Sequence, residues 1–181
     1  DLSLQFLIHP LSFFQTNTKQ AERLYGVMLD FAQLNGREIV YDLYCGTGTI
    51  GLFLTGKAEK VYGIEINEAA LADAKENATL NKINNVEFIC ADAYKGCRQI
   101  REKPDLVVVD PPRAGLTKQL LDQLLEVKSP KLIYVSCNPA TLSRDLEILV
   151  KGGYILDKVQ PVDMFPHTAH IEVVAGLKWA C

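Results

Sequence analysis

The chain has 181 residues, enough for one folded domain with little room for a second. Its 48% hydrophobic and 23% charged residues exclude a disordered or low-complexity chain, and no apolar run approaches the roughly 20 residues of a membrane span. Five cysteines without paired or zinc-type spacing exclude a disulfide framework and point to a reducing compartment, while a net charge of −3 disfavours a domain that grips a polyanion unaided.

The start of the chain (Asp1 to Phe6) lacks the charged and apolar stretches of a secretion signal, and the missing initial methionine suggests a domain taken from a longer protein. Lys19 to Leu34 carries apolar residues at helical spacing (Leu24, Val27, Met28, Phe31), with Asn17 or Thr18 placed to cap it. Ile39 to Leu43 then reads as a buried strand ending in a glycine-rich turn. A second apolar run, Val61 to Ile66, leads into an alanine-rich helix from Glu68 to Leu80. Further strands are expected at Val86 to Cys90, Leu106 to Val109 and Leu132 to Val135, with helical patterns at Lys118 to Glu126 and Thr141 to Lys151. Two more extended stretches, Tyr154 to Val162 and Ile171 to Trp179, close the chain.

Strands alternating with helices imply an α/β fold with a doubly wound, mostly parallel sheet. Residues 1–35 are expected to form a lead-in segment and helix packed on a core of residues 36–181. Ligands of such sheets bind outside the carboxyl ends of the strands. Those ends carry Asp42 and Gly46, Glu65, Asp92, Asp110 and Cys137.

Gly46-Thr47-Gly48-Thr49-Ile50-Gly51 satisfies G-x-G-x-x-G after a strand, with Glu65 at a plausible distance for a ribose contact. This pattern alone does not separate a nicotinamide dinucleotide from S-adenosylmethionine, or either from a tight turn without a ligand. Asp42 to Gly48 resembles the first motif of class I methyltransferases, D/E-x-x-x-G-x-G, and Asp92 falls where that class binds the adenine amino group. Asp110-Pro111-Pro112 ends the fourth strand, where those enzymes place residues facing substrate. A dehydrogenase explains none of these last features.

Cys137 follows a buried strand and precedes a helix whose N-terminal dipole is expected to favour a thiolate. Against this stands a packed Ser136-Cys137 pair, since free cysteines are commonly buried and inert. A thiolate is what methylation at carbon 5 of a pyrimidine requires. That carbon becomes nucleophilic only after addition at carbon 6, and a base must later remove its proton.

The chain resembles the catalytic domain of the RNA uracil-5-methyltransferases, which make 5-methyluridine in transfer and ribosomal RNA. The resemblance rests on Phe13-Phe14-Gln15-Thr16-Asn17 (F-x-Q-x-N), Asp42 to Gly48, and Asp110 to Gly115 (D-P-P-R-x-G). It continues through Ser136 to Asp145 (S-C-N-P-x-T-x-x-R-D) and Asp163 to Glu172 (D-M-F-P-x-T-x-H-[VI]-E). It implies a Rossmann-like, class I seven-stranded fold, S-adenosylmethionine as cofactor with S-adenosylhomocysteine as product, and covalent catalysis. Cys137 is implied as nucleophile and Glu172 as the base for the carbon 5 proton. Asp110, near the base edge, belongs with them in the catalytic set. Gln15, Tyr44, Gly46, Gly48, Thr49, Glu65, Asp92 and Asp110 are implied around the cofactor. Thr49 stands where some relatives carry asparagine.

Phe13, Arg113 and Asn138 are the candidate substrate contacts, Phe13 by stacking near the target base and Arg113 at a phosphate or the substrate. RNA cytosine-5-methyltransferases commonly carry a second cysteine in the fourth-strand motif; none accompanies Asp110 here, which favours uracil. His167, His170 and Glu172 form H-x-x-H-x-E without convincing further ligands, so no metal is expected in this domain. A vestigial cofactor-binding domain is the competing reading. The implied substrate is ribosomal or transfer RNA presenting a flipped-out uridine, and the implied enzyme is cytoplasmic and monomeric, with no membrane or obligate protein partner. Family members commonly add an N-terminal RNA-binding domain, and some an iron–sulfur cluster; neither is in this chain, and a separate RNA-binding domain would account for its mild acidity.

Overall fold

The computed structural model describes residues 4–8, 17–168 and 170–180. Seven strands form one sheet: β1 (Ile39–Leu43), β2 (Lys60–Glu65), β3 (Val86–Cys90), β4 (Leu106–Val109), β5 (Lys131–Ser136), β6 (Tyr154–Val162) and β7 (Glu172–Trp179). Their spatial order is β3-β2-β1-β4-β5-β7-β6. β1 to β5 pair in parallel, and β7 enters antiparallel between β5 and β6. The central strands are largely apolar because both of their faces are covered, with Asp42 in β1 the buried acid among them. All four residues of β4 are buried, whereas most of edge strand β6 is not.

Six helices connect and cover the sheet: α1 (Thr18–Ala32), α2 (Thr49–Thr55), α3 (Glu68–Leu80), α4 (Ala93–Cys97), α5 (Lys118–Val127) and α6 (Pro139–Lys151). On one face Leu24 and Met28 of α1 and Ile50 and Leu54 of α2 pack on Val40, Val108, Ile133 and Val174. On the other, Cys97, Leu120, Leu124 and Leu149 from α4, α5 and α6 pack on Tyr41, Val107, Tyr134 and Ala175. Asn17 caps α1 by accepting from the Gln20 N–H, and Asn67, Asp92, Thr117 and Asn138 cap α3 to α6 in the same manner.

Most element boundaries agree with the sequence pattern within two residues. The short helices α2 and α4 have no independent signature. α2 is apolar on nearly all sides because it is buried, and α4 spans only five residues. α6 begins at Pro139 rather than Thr141, because proline is preorganised for the first helical position and Asn138 supplies the cap. The direction of winding reverses between β1 and β4, so a crevice opens at their carboxyl ends. β7 starts at that same edge, since it runs antiparallel to β5.

Candidate active site

The turn after β1 takes three left-handed steps, at Tyr44 (φ 65°), Gly46 (φ 53°) and Gly48 (φ 82°). Glycine adopts these angles freely; Tyr44 does so against the preference of its side chain, a strain characteristic of functional turns. Glu65, at the end of β2, fixes the turn from below: its Oε2 accepts from the Gly46 N–H at 3.1 Å and its Oε1 from the Asn67 N–H at 2.8 Å. Space is open on the side of Gly46 where a Cβ would stand, whereas a Cβ at Gly51 would meet Asp42 Oδ2 at 2.8 Å. Cys45 packs under the turn, with its Sγ 3.0 Å from where a Gly63 Cβ would lie.

Asp42 is fully buried, and neither carboxylate oxygen has a hydrogen-bond partner among the described residues. Burial, opposed by a Gly51 N–H that stays outside hydrogen-bonding geometry and reinforced by the charges of Asp110 and Glu65, pushes its pKa up to about 8. Asp92 caps α4 through Oδ1, which accepts from Tyr94 N at 3.0 Å and Lys95 N at 3.4 Å. Thr49 opens α2, its hydroxyl 3.2 Å from that of Thr47. An open turn with the Glu65 carboxylate behind it and Asp92 on the next strand suits a ligand bearing positive charge and hydroxyl donors. S-adenosylmethionine has an ammonium, a sulfonium and two ribose hydroxyls, and so fits.

A second group of residues converges on the other side of the crevice. β5 and β7 pair Ser136 with Val173, so one further step along this antiparallel register sets Cys137 opposite Glu172. Asp110 follows β4, its N–H donating to the Leu43 carbonyl at 3.4 Å, and so sits beside the glycine turn. Burial, and then the charge of Glu172, pushes the Asp110 pKa up to about 7. Burial also pushes Glu172 up to about 7, with Arg113 pulling it back down. Burial and the carboxylates of Glu172 and Asp110 push the Cys137 thiol up, and Arg113 again opposes them. The thiolate expected from the helix dipole is therefore not the resting form: burial and two nearby carboxylates outweigh the dipole. Arg113 is the cation common to both groups, and its Nη2 lies 3.1 Å from His170 Nδ1.

The loop carrying Arg113 is held by α6. The Arg113 carbonyl accepts from Asn138 Nδ2 at 3.1 Å and Thr141 Oγ1 at 3.2 Å, and the Ala114 carbonyl accepts from Arg144 Nη2 at 3.0 Å. Fully buried Asp145 accepts from Leu116 N and the Tyr134 hydroxyl, both at 2.8 Å, and pairs with Arg144 at 2.7 Å. Gly115 needs to be glycine twice over, since its φ is 75° and a Cβ would approach Asp145 Oδ2 to 2.6 Å. Asn138 spends both ends of its amide on this scaffold, its Oδ1 accepting from Ala140 N at 3.1 Å.

The structure thus brings Asp110, Arg113, Cys137 and Glu172 to one side of the crevice and Tyr44, Gly46, Gly48, Thr49 and Glu65 to the other, with Asp92 one strand further out. Phe13 and Gln15 lie outside the described residues. Sequence reasoning missed Tyr25, whose phenol on α1 stands close to Thr49, Asp110 and Asp42 and is pushed up by burial and by those two carboxylates. It also gave Asp145 no role; a charge on the buried stripe of an amphipathic helix was the available signal.

The sheet order with its antiparallel β7, the glycine turn after β1 and the acid ending β2 define a class I methyltransferase of Rossmann-like fold. More particularly, the chain belongs to the tRNA (uracil-5-)-methyltransferase family, which it matches over residues 3–178. It is 49% identical over 177 residues to an uncharacterized RNA methyltransferase of Clostridium tetani, covering 98% of this chain and 39% of that protein. The tRNA (uracil-54, C5)-methyltransferase of Pyrococcus abyssi, solved with S-adenosyl-L-homocysteine, superimposes with a TM-score of 0.84 at 40% identity, over 96% of this chain and 42% of the other. A precorrin-6y C5,15-methyltransferase of Geobacter metallireducens shares the fold alone, with a TM-score of 0.73 at 15% identity over 97% and 93% of the two chains. The chain spans about two fifths of the length of the relatives it matches, 39% in the first of them.

Proposed function

We propose that the chain is the catalytic part of an enzyme that methylates carbon 5 of a uridine in transfer or ribosomal RNA, by way of a covalent adduct between Cys137 and carbon 6. The observation that carries this reading is the convergence of one thiol and two carboxylates with raised pKa, Asp110 and Glu172, beside the glycine turn. N-methylation needs no thiol; activation of carbon 5 does.

Bound S-adenosylmethionine supplies the electrophilic methyl group and leaves as S-adenosylhomocysteine. The turn around Gly46 and Gly48, with Glu65 and Asp92, would hold it. The Cys137 sulfur bonds to carbon 6 and gives its proton to Asp110, whose pKa of about 7 suits it as acceptor. Carbon 5, now enolate-like, takes the methyl group. Glu172, also near 7, removes the carbon 5 proton. The carbon 6–sulfur bond then breaks, and the proton returns from Asp110 to the thiolate. Two carboxylates accommodate two protons, so neither must act twice within one turnover. Carbons 5 and 6 of a stacked base are inaccessible, so the uridine is extruded into the crevice.

With a net charge of −3, this part leaves most of the grip on RNA to the rest of a longer protein. The free thiols of Cys45, Cys90, Cys97 and Cys137 suit action in the cytoplasm, and no described helix is long and apolar enough to cross a membrane.

The test is RNA carrying 5-fluorouridine, in which carbon 5 has no proton to lose. With S-adenosylmethionine present, a protein–RNA adduct stable to denaturation should accumulate. Cys137→Ser should abolish it, and on ordinary RNA Glu172→Gln should retain the adduct while slowing product release. An adduct that persists in Cys137→Ser overturns the assignment.

A further inference from the structure

Residues 4–8 run along α3 and are held by two asparagines. Asn81 accepts from Gln5 N at 2.9 Å and donates to the Gln5 carbonyl at 2.7 Å. One helical turn earlier, Asn77 Oδ1 accepts from Leu7 N at 2.7 Å. The other end of that same amide, Nδ2, reaches the Thr47 carbonyl at 3.3 Å, between the two left-handed glycines of the cofactor turn. Asn77 is fully buried and Thr47 is 4% exposed.

Asn77 occupies the buried stripe of α3 together with Leu71, Ala74 and Ala78. For packing alone, an apolar residue would serve there at less cost, since a buried amide must satisfy every polar atom. Its amide is divided between two segments that otherwise belong to different parts of the chain. Ala74, one turn before it, supports the same loop: a Cβ on Gly48 would stand 3.0 Å from Ala74 Cβ. One face of α3 therefore supports the turn and holds the lead-in segment.

We propose that Asn77 is a positioning residue that couples docking of residues 4–8 to the shape of the cofactor-cradling turn. Docking of Leu7 fixes the Asn77 amide, which then holds the Thr47 carbonyl and with it the backbone between Gly46 and Gly48. Linkage is reciprocal: if docking of the segment favours cofactor binding, bound cofactor tightens the segment by the same factor. This inference rests on the cofactor reading proposed above.

The test is titration of S-adenosylhomocysteine into the protein, followed by calorimetry and by amide hydrogen exchange of residues 4–8. Leu7→Pro removes the N–H donated to Asn77 and leaves α3 and the core untouched, while Leu7→Ala keeps that N–H. Leu7→Pro is expected to weaken binding about fivefold or more, at the lower end of usual couplings, with Leu7→Ala close to the parent. Asn77→Ala, verified as folded by circular dichroism, should lose at least as much. In the parent, S-adenosylhomocysteine should slow exchange at Gln5 and Leu7. Binding by the parent with unchanged exchange there, and equal affinity in Leu7→Pro, overturns the coupling alone. A parent protein that binds no S-adenosylhomocysteine overturns the cofactor reading, and the coupling with it.

Discussion

The two sides of the crevice are built on different principles. The cofactor side is made of backbone: a left-handed turn whose N–H groups and open space are shaped by Glu65, Gly46 and Gly48. The side proposed to be catalytic is made of ionisable side chains, Asp110, Cys137 and Glu172, whose protonation is set by burial and by one another's charge, with one cation, Arg113, opposing the shifts of Cys137 and Glu172. Beneath it lies a polar scaffold, Asp145 with Arg144, Asn138 and Thr141, that fixes the Arg113 loop through its carbonyls. A shape can be preserved by local sterics alone. A set of mutually perturbed charges needs every member held at a fixed distance, which is why the more elaborate support lies under the catalytic side.

The largest effect is expected where that support is removed. Asp145→Ala strips the buried Leu116 N–H and Tyr134 hydroxyl of their acceptor. Each orphaned buried donor costs roughly 1–3 kcal/mol, so a loss of about 3 kcal/mol or more in urea denaturation is expected, together with loss of turnover. A variant of parental stability with full activity would show that the scaffold is dispensable and the contrast between the two sides is mistaken.

On the cofactor side the corresponding change is Gly51→Ala, and it should cost less. Its Cβ would lie 2.8 Å from Asp42 Oδ2 and 3.4 Å from Val61 Cγ1. Overpacking costs roughly 1–3 kcal/mol, and the better helix propensity of alanine returns about 1 kcal/mol. The net is a loss of about 1 kcal/mol with a displaced Asp42 carboxylate. S-adenosylhomocysteine affinity should fall in calorimetry, while the thermal shift stays small. The reverse pattern, intact affinity with a large loss of stability, would show that Asp42 only packs.

What the sequence discloses follows the same division. Strands β1, β3, β4 and β6 are legible to the residue because buried runs end abruptly at turn residues, and the glycine turn announces its own left-handed angles. The identity of Cys137 and Glu172 as a pair is legible from motifs, yet their apposition depends on β7 inserting antiparallel beside β5, which no local pattern encodes. The state of the thiol is not legible at all. A helix start in the sequence suggests thiolate, and burial in the folded chain, together with the proximity of Glu172 and Asp110, reverses that. Asn138 shows the converse: a polar residue beside Cys137 invites a substrate role, while its amide is already engaged in capping α6 and tying down the Arg113 loop.

The smallest and most diagnostic effect concerns Arg113. The role of base proposed for Glu172 requires the ionised carboxylate, so kcat/KM should rise with pH through its pKa of about 7. Folding stability should run the other way. Asp110 and Glu172 hold protons in the folded state up to about 7 that the unfolded chain releases near its ordinary values of 3.8 and 4.5. Their contribution is therefore fully present below about pH 4 and is lost as pH rises through 7. Arg113 lowers both Glu172 and Cys137. Arg113→Gln removes that charge, so the acid limb of kcat/KM should move to higher pH while the plateau changes less. Loss of plateau activity without movement of the limb would instead assign Arg113 to RNA contact. In that case the proposed catalytic side would owe its protonation to burial and to the mutual repulsion of its own acids, with no part played by Arg113.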